Sequence, residues 1–173
     1  MPSPRRQARR YAVLALYQWQ LTGQPPGEVA SGFLDDPDWL AEVATSLGER
    51  QDDEDGRPAR RRSDPARFDR ELFAQLLLGV PRELAAIDAR LQTAIDRPLA
   101  QVDPVERAIL RLGLFEILFC PAVPYQVAIN EAIDLAKLLG AEQGHRYVNG
   151  VLDKIARSLH PPSVEAATSS SPG

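Results

Sequence analysis

The sequence of 173 residues contains one cysteine, Cys120, and two histidines. A single thiol excludes an internal disulfide and fits a reducing cytoplasm. With so few thiol and imidazole side chains, a structural zinc site built from Cys and His is not expected. No run of 18 apolar residues is present, so no membrane-spanning helix is expected. The N-terminus lacks the uninterrupted apolar stretch of a secretory leader. We therefore expect a cytoplasmic protein with no membrane partner.

Motifs that carry catalytic chemistry are absent too. The sequence has no GxxxxGK loop, no GxGxxG turn after a strand, no GxSxG elbow and no HExxH pair. His145 stands alone at a helix start, and the acids Glu131 and Asp134 resemble the solvated face of a helix. Cys120 is expected to be a small buried residue. The sequence therefore predicts no catalytic residue, no metal, no cofactor and no enzymatic activity.

Lysine is scarce, since only Lys137 and Lys154 stand among the 20 basic residues. The formal net charge of −4 argues at first against a nucleic-acid partner. The signs are segregated, however: four arginines and no acid lie in residues 1–10, ten carboxylates against one arginine in 28–55, and six arginines in 57–70. Because net charge averages these segments, it conceals the basic N-terminus.

Helical spacing of apolar residues recurs along the chain, and no stretch alternates with period two for long enough to predict a strand. We predict an all-α protein of six or seven helices, with a central, mostly buried helix in the second half. Residues 49–65 are low in complexity and are predicted to be a surface loop or a disordered insertion, and residues 161–173 a disordered tail. The expected helices cover residues 4–21 (capped by Ser3, ended by Gly23), 27–48 (one or two, the second starting at Asp36-Pro37), 66–97 (kinked or broken at Gly79-Val80-Pro81), Asp103-Pro104 to Cys120, 125–139 (ended by Gly140) and 144–159.

The first helix has two distinct faces. With 100° per residue, Arg10 and Tyr17 fall within about 40° of Arg6, and Arg9 within about 60°. Val13 also falls on the arginine side, whereas the other arc holds the apolar residues Ala8, Tyr11, Ala12, Ala15, Leu16 and Trp19. Arginine supplies bidentate contacts to phosphate, and an exposed aromatic ring offers a stacking surface to an unpaired base. The pattern predicts binding of single-stranded nucleic acid, although a charged helix with a half-buried tyrosine stays open as a purely structural interpretation.

Three segments of the chain resemble a known family. They are RRQARRYAVLALYQWQLTG from Arg5, VDPVERAILRLGLFEILF from Val102, and VPYQVAINEAIDLAKLLGAEQGHRYVNGVLDKIA from Val123. Each is similar to the NusB family of transcription antitermination factors. The resemblance covers about residues 4–48 and 66–159.

The resemblance implies a NusB-like fold of two packed three-helix bundles. We expect a single domain over residues 1–160, with bundles at about 4–98 and 102–160. It also implies partners: the ribosomal protein NusE, the single-stranded boxA element of nascent ribosomal RNA, and RNA polymerase with other Nus factors. The NusE surface is expected on the C-terminal bundle. Taken with the two faces of the first helix, the candidate RNA-binding residues are Arg5, Arg6, Arg9, Arg10, Tyr17, Arg146, Tyr147 and Asn149.

Some roles and functions stay open. Tyr147 could pack across the bundle or contact a base, and Asn149 could cap its helix or reach RNA. Gly150 is expected to permit close helix packing, because glycine in a helix costs roughly 1 kcal/mol relative to alanine. The insertion could be a solvated loop, an RNA-contacting arm or a polyanion mimic. The chain could instead be a recognition module for an rRNA methyltransferase, since this domain also precedes such enzymes, or a protein-interaction scaffold or homodimer.

Overall fold

The computed structural model describes residues 2–55, 64–140 and 143–160, with residues 49–55 described by their backbone alone. Within these ranges the chain is all-α, as predicted, and contains no strand. Its described residues form eight α-helices instead of the six or seven predicted, because the segments expected at 27–48 and 66–97 each form two. None of the described helices combines the length and apolar character needed to cross a bilayer. The helices are α1 (Pro4–Thr22), α2 (Pro26–Asp35), α3 (Pro37–Asp55), α4 (Arg70–Arg82), α5 (Leu84–Ala94), a short 3₁₀ helix (Leu99–Gln101), α6 (Pro104–Phe119), α7 (Tyr125–Leu139) and α8 (Gly144–Leu159).

Local capping signals set most of the helix ends. The Ser3 hydroxyl accepts a hydrogen bond from the Arg6 backbone N–H at 3.2 Å, and Gly23 ends α1 with φ at 69°. The Asp36 carboxylate accepts from the Trp39 N–H at 3.0 Å and so begins α3. Asp103 caps α6 in the same way, accepting from two backbone N–H groups. These predicted ends are confirmed, because each cap depends only on residues within one turn.

Two predicted boundaries are wrong. The α3 helix continues to Asp55, so residues 49–55 are helical rather than part of a loop. Glu49, Arg50 and Gln51 favour helices, and residues 49–55 contain no glycine or proline. The break in the fourth predicted helix falls at Glu83 instead of 79–81, so the turn that contains Pro81 stays helical. Residues 56–63 of the predicted insertion and the predicted tail 161–173 lie outside the described residues.

The α6 helix is the central element of the fold. It packs against α1 and α4 on one side and against α5, α7 and α8 on the other, as its all-round apolar sequence predicts. Two glycines permit these close approaches. A Cβ at Gly79 in α4 would clash with the ring of Phe115, and one at Gly113 would lie 2.9 Å from Leu152 Cδ1. Helix α1 packs against both α4 and α6. These two contacts determine which side of α1 reaches solvent.

An aromatic cluster joins α1 to the start of α4. The Tyr11 ring meets the Phe68 ring edge-on at 5.0 Å between centroids. The Tyr11 hydroxyl donates to the Pro65 carbonyl at 3.0 Å, and the Asp69 N–H donates to the Pro4 carbonyl at 3.0 Å. These contacts hold residues 65–69, which lead into α4, against α1.

Candidate nucleic-acid interface

Two of the predicted arginines lie at the exposed start of α1. Arg5 keeps 54% of its side chain exposed and lies 3.6 Å from the Asp69 carboxylate. Arg6 keeps 50% exposed and pairs with two acids of α7. Both guanidinium groups are accessible to solvent, so each can approach a phosphate.

Arg10 joins Arg6 in one cleft. The two arginines, Glu131, Asp134 and Leu135 line a cavity of about 230 Å³ between α1 and α7. Burial and the neighbouring charge of Arg6 lower the pKa of Arg10, and the two carboxylates offset this lowering only in part. The cleft therefore concentrates charge of both signs beside the N-terminal half of α1.

Tyr17 lies further along the same side of α1. It is half-buried, with part of the ring packed against the core. A ring held in this way has little freedom left to lose when a base stacks on its exposed part. The structure thus places Arg6, Arg10 and Tyr17 along one stripe of the helix.

Arg9 does not belong to this stripe, and its predicted placement on an exposed face is wrong. Its side chain is 5% exposed and forms a bidentate ion pair with the buried carboxylate of Glu116 in α6, with Nε–Oε1 at 2.8 Å and Nη2–Oε2 at 2.9 Å. Burial alone would lower the pKa of Arg9, but the hydrogen bond and charge of Glu116 outweigh burial and raise it. The helical projection failed here because α6 covers the side of α1 on which Arg9 lies.

The α8 residues form a separate patch. Helix α8 packs against α5, α6 and α7, and its Arg146 and Asn149 are exposed. Tyr147 is half-buried, with the Arg97 guanidinium 5.1 Å from its ring centroid. Its hydroxyl is buried and has no hydrogen-bond partner among the described residues, and burial raises its pKa. This environment favours packing over base contact for Tyr147.

The buried hydroxyl of Tyr147 gives a test of that role. An unsatisfied buried hydroxyl carries a desolvation cost, so Tyr147→Phe is expected to raise the free energy of unfolding by about 1 kcal/mol in chemical denaturation. As the matched control, Tyr11→Phe removes a hydroxyl that does have a partner and should lower stability by about 0.5–1.5 kcal/mol. A loss of stability in Tyr147→Phe would contradict the assignment.

Gly150 does not permit close packing as predicted, because a Cβ at this position would meet nothing within 4 Å. The residue is exposed, and its φ is not positive. The glycines at which a Cβ would press on the opposing helix are Gly113, on the facing helix α6, and Gly144, at the start of α8.

We expect Gly150→Ala to raise the free energy of unfolding by about 1 kcal/mol, because it restores helix propensity at no steric cost. Thermal or chemical denaturation measures the change. Gly113→Ala is the matched control and should lose stability, since its Cβ would press on Leu152. If both variants lose stability, Gly150 has a contact that this geometry does not explain.

Sequence reasoning missed the acids that hold the arginines. Glu116 lies 107 positions from Arg9, and Glu131 lies 125 positions from Arg6. The expectation that Glu131 lies on a merely solvated face is wrong, because its side chain is 16% exposed and paired. The i, i+3 spacing of Glu131 and Asp134 was the available signal, since residues so spaced share one helix face.

A second concavity of about 520 Å³ lies between the end of α1 and the start of α6. Arg111 there donates to both oxygens of Asp88, at 3.0 and 2.9 Å, and to the side chain of Gln20.

The described residues hold no group of three His, Cys, Asp or Glu side chains that could bind a metal ion.

Comparison with known proteins identifies the family. A profile of the NusB family matches residues 6–157. The transcription antitermination protein NusB of Alkalilimnicola ehrlichii is 46% identical over 156 residues, which cover 90% of this chain and 82% of its own length. That of Shewanella amazonensis is 46% identical over 154 residues, covering 89% and 96%.

Solved structures agree with the sequence relatives. A crystal structure of the antitermination factors NusB and NusE in complex with double-stranded RNA contains a chain that superposes with a TM-score of 0.62. That chain is 26% identical, and the match covers 88% of this chain and 96% of the other. With the family profile spanning most of its length, this chain belongs to the NusB family.

Proposed function

We propose that this chain is a non-enzymatic transcription antitermination factor that binds the boxA element of nascent ribosomal RNA together with NusE. The observation that carries the proposal is the stripe of Arg6, Arg10 and Tyr17 along one side of α1, with Arg6 exposed and the other two half-buried. The names of its relatives and the NusB–NusE–RNA complex support the same activity. Further Nus factors and RNA polymerase would join the complex, which places its action in the cytoplasm.

Each part of the stripe has a distinct task. Arg6 and Arg10, with Arg5 beside the stripe, supply positive charge to the phosphates, which gives affinity without sequence information. Tyr17 supplies the surface on which an unpaired base stacks. Arg9 holds α1 on α6 and does not touch RNA.

The α8 patch supplies a second contact. Arg146 and Asn149 are exposed and offer a cation and an amide to the RNA. Tyr147 positions this end of α8 by packing under Arg97. NusE is assigned to the C-terminal helices, with its individual contact residues left open.

Fluorescence anisotropy tests the proposal directly. A labelled boxA oligonucleotide and a scrambled strand of the same composition are titrated with the chain, with and without NusE. We expect NusE to strengthen boxA binding and the pair to prefer boxA over the scrambled strand. Equal affinity for the two strands in the presence of NusE would exclude the proposed function.

A further inference from the structure

Two carboxylates of α7 form ion pairs with the Arg6 guanidinium group, which the proposed function assigns to phosphate. Arg6 Nε lies 3.2 Å from Glu131 Oε1, and Arg6 Nη2 lies 3.3 Å from Asp134 Oδ2. The guanidinium thus presents its donors to two different carboxylates at once. A phosphate that approaches Arg6 meets donors that are already engaged.

The charges in this cleft cancel. Two arginines and two carboxylates line the same cavity of about 230 Å³. A cleft without net charge attracts a polyanion less than the arginines alone would. The basic start of α1 is therefore weaker as an RNA surface than its sequence suggests.

The pair of Arg6 with Asp134 is weak enough to exchange. Arg6 and Asp134 each keep about half of their side chain exposed, at 50% and 51%. Exposed ion pairs shift an equilibrium by only about two- to fivefold. Arg9 differs, because its buried bidentate pair with Glu116 leaves no donor accessible to RNA. Of these two arginines, Arg6 is thus the one whose carboxylate partner can be exchanged for phosphate.

We propose that Glu131 and Asp134 set the RNA affinity of this chain by competing with phosphate for Arg6. RNA binding then exchanges a protein carboxylate for a phosphate at the same guanidinium group. The inference rests on the proposed function. It adds two residues of α7 that weaken the binding of RNA. Arg146 makes no ion pair with the described residues, so the α8 patch is not subject to this competition.

The test is the affinity of Asp134→Asn for boxA RNA in the presence of NusE, measured by anisotropy. We expect binding about two- to fivefold tighter than that of the unaltered chain. Glu83→Gln is the matched control: it also removes one carboxylate from an exposed arginine, 3.3 Å from Arg82, but away from the cleft. Its affinity should equal that of the unaltered chain.

A second comparison separates competition at Arg6 from a general gain in positive charge. In an Arg6→Ala background, Asp134→Asn should tighten binding no more than the control does. If Asp134→Asn matches Glu83→Gln, or gains as much without Arg6, the inference is overturned while the proposed function stands. If the unaltered chain and NusE do not bind boxA, the proposed function itself fails.

Discussion

Arg9→Ala is expected to lower the free energy of unfolding by about 3–5 kcal/mol, the largest effect of any substitution considered. The change leaves the Glu116 carboxylate, only 1% exposed, without its cation. A buried charge without a partner is far more costly than the pair is stabilising, because water no longer solvates it. The pair joins α1 to α6, so its loss also loosens the helix that carries the proposed RNA stripe.

Urea denaturation measures this loss, with Arg6→Ala as the matched control. Arg6 also pairs with acids, but half of its own side chain and of the Asp134 side chain is exposed, so its removal should cost only about 1 kcal/mol. The double variant Arg9→Met with Glu116→Leu removes both charges and should recover most of the stability. It should also keep its affinity for RNA, since Arg9 holds α1 without touching the ligand. A cost for Arg9→Ala no greater than that for Arg6→Ala would contradict the assignment.

Tyr17→Ala is expected to weaken boxA binding by about 1–3 kcal/mol, through lost base stacking. Tyrosine at this position makes no charged contact with phosphate, so the dependence of affinity on salt should stay unchanged. Arg6→Ala should instead weaken binding and reduce the salt slope by roughly 0.7, as expected for one phosphate contact on a single strand. The two substitutions should thus differ in their effect on the salt dependence of binding as well as in their effect on affinity.

Anisotropy titrations across a range of salt concentrations measure both quantities. Tyr17→Phe is the matched control, because it keeps the ring and removes only the hydroxyl. Since part of the Tyr17 ring packs against the core, each variant is compared at a temperature where it is fully folded. Wild-type affinity in Tyr17→Ala would show that the ring does not stack on RNA.

Most of the helix boundaries could be predicted because their causes are local. Ser3, Asp36 and Asp103 satisfy backbone N–H groups within their own first turn, and Gly23 adopts the left-handed conformation that ends α1. Such signals depend on a few neighbouring residues and can be recognised in the sequence. The all-α class followed from the same periodicity.

The positions of the charges could be predicted only in part. Projection of α1 placed Arg6 correctly towards solvent, but it gave the same result for Tyr17, which is half-buried, and for Arg9, which is buried. One helix viewed alone does not reveal that α6 approaches Arg9 with a carboxylate. Gly150 and Gly113 show the same limit, because the space around each glycine depends on a neighbouring helix. A single sequence without its fold does not show which distant segments are in contact.

The anchoring of Pro65 and Asp69 to α1 has a practical consequence for engineering. Residues 65–69, which lead into α4, are held on α1 through the Tyr11 hydroxyl and the Pro4 carbonyl. Shortening the N-terminus through Pro4 would remove the acceptor of the Asp69 N–H and one of the contacts that join α4 to α1. A shortened variant for binding experiments should therefore keep Pro4 as well as the arginines that follow it.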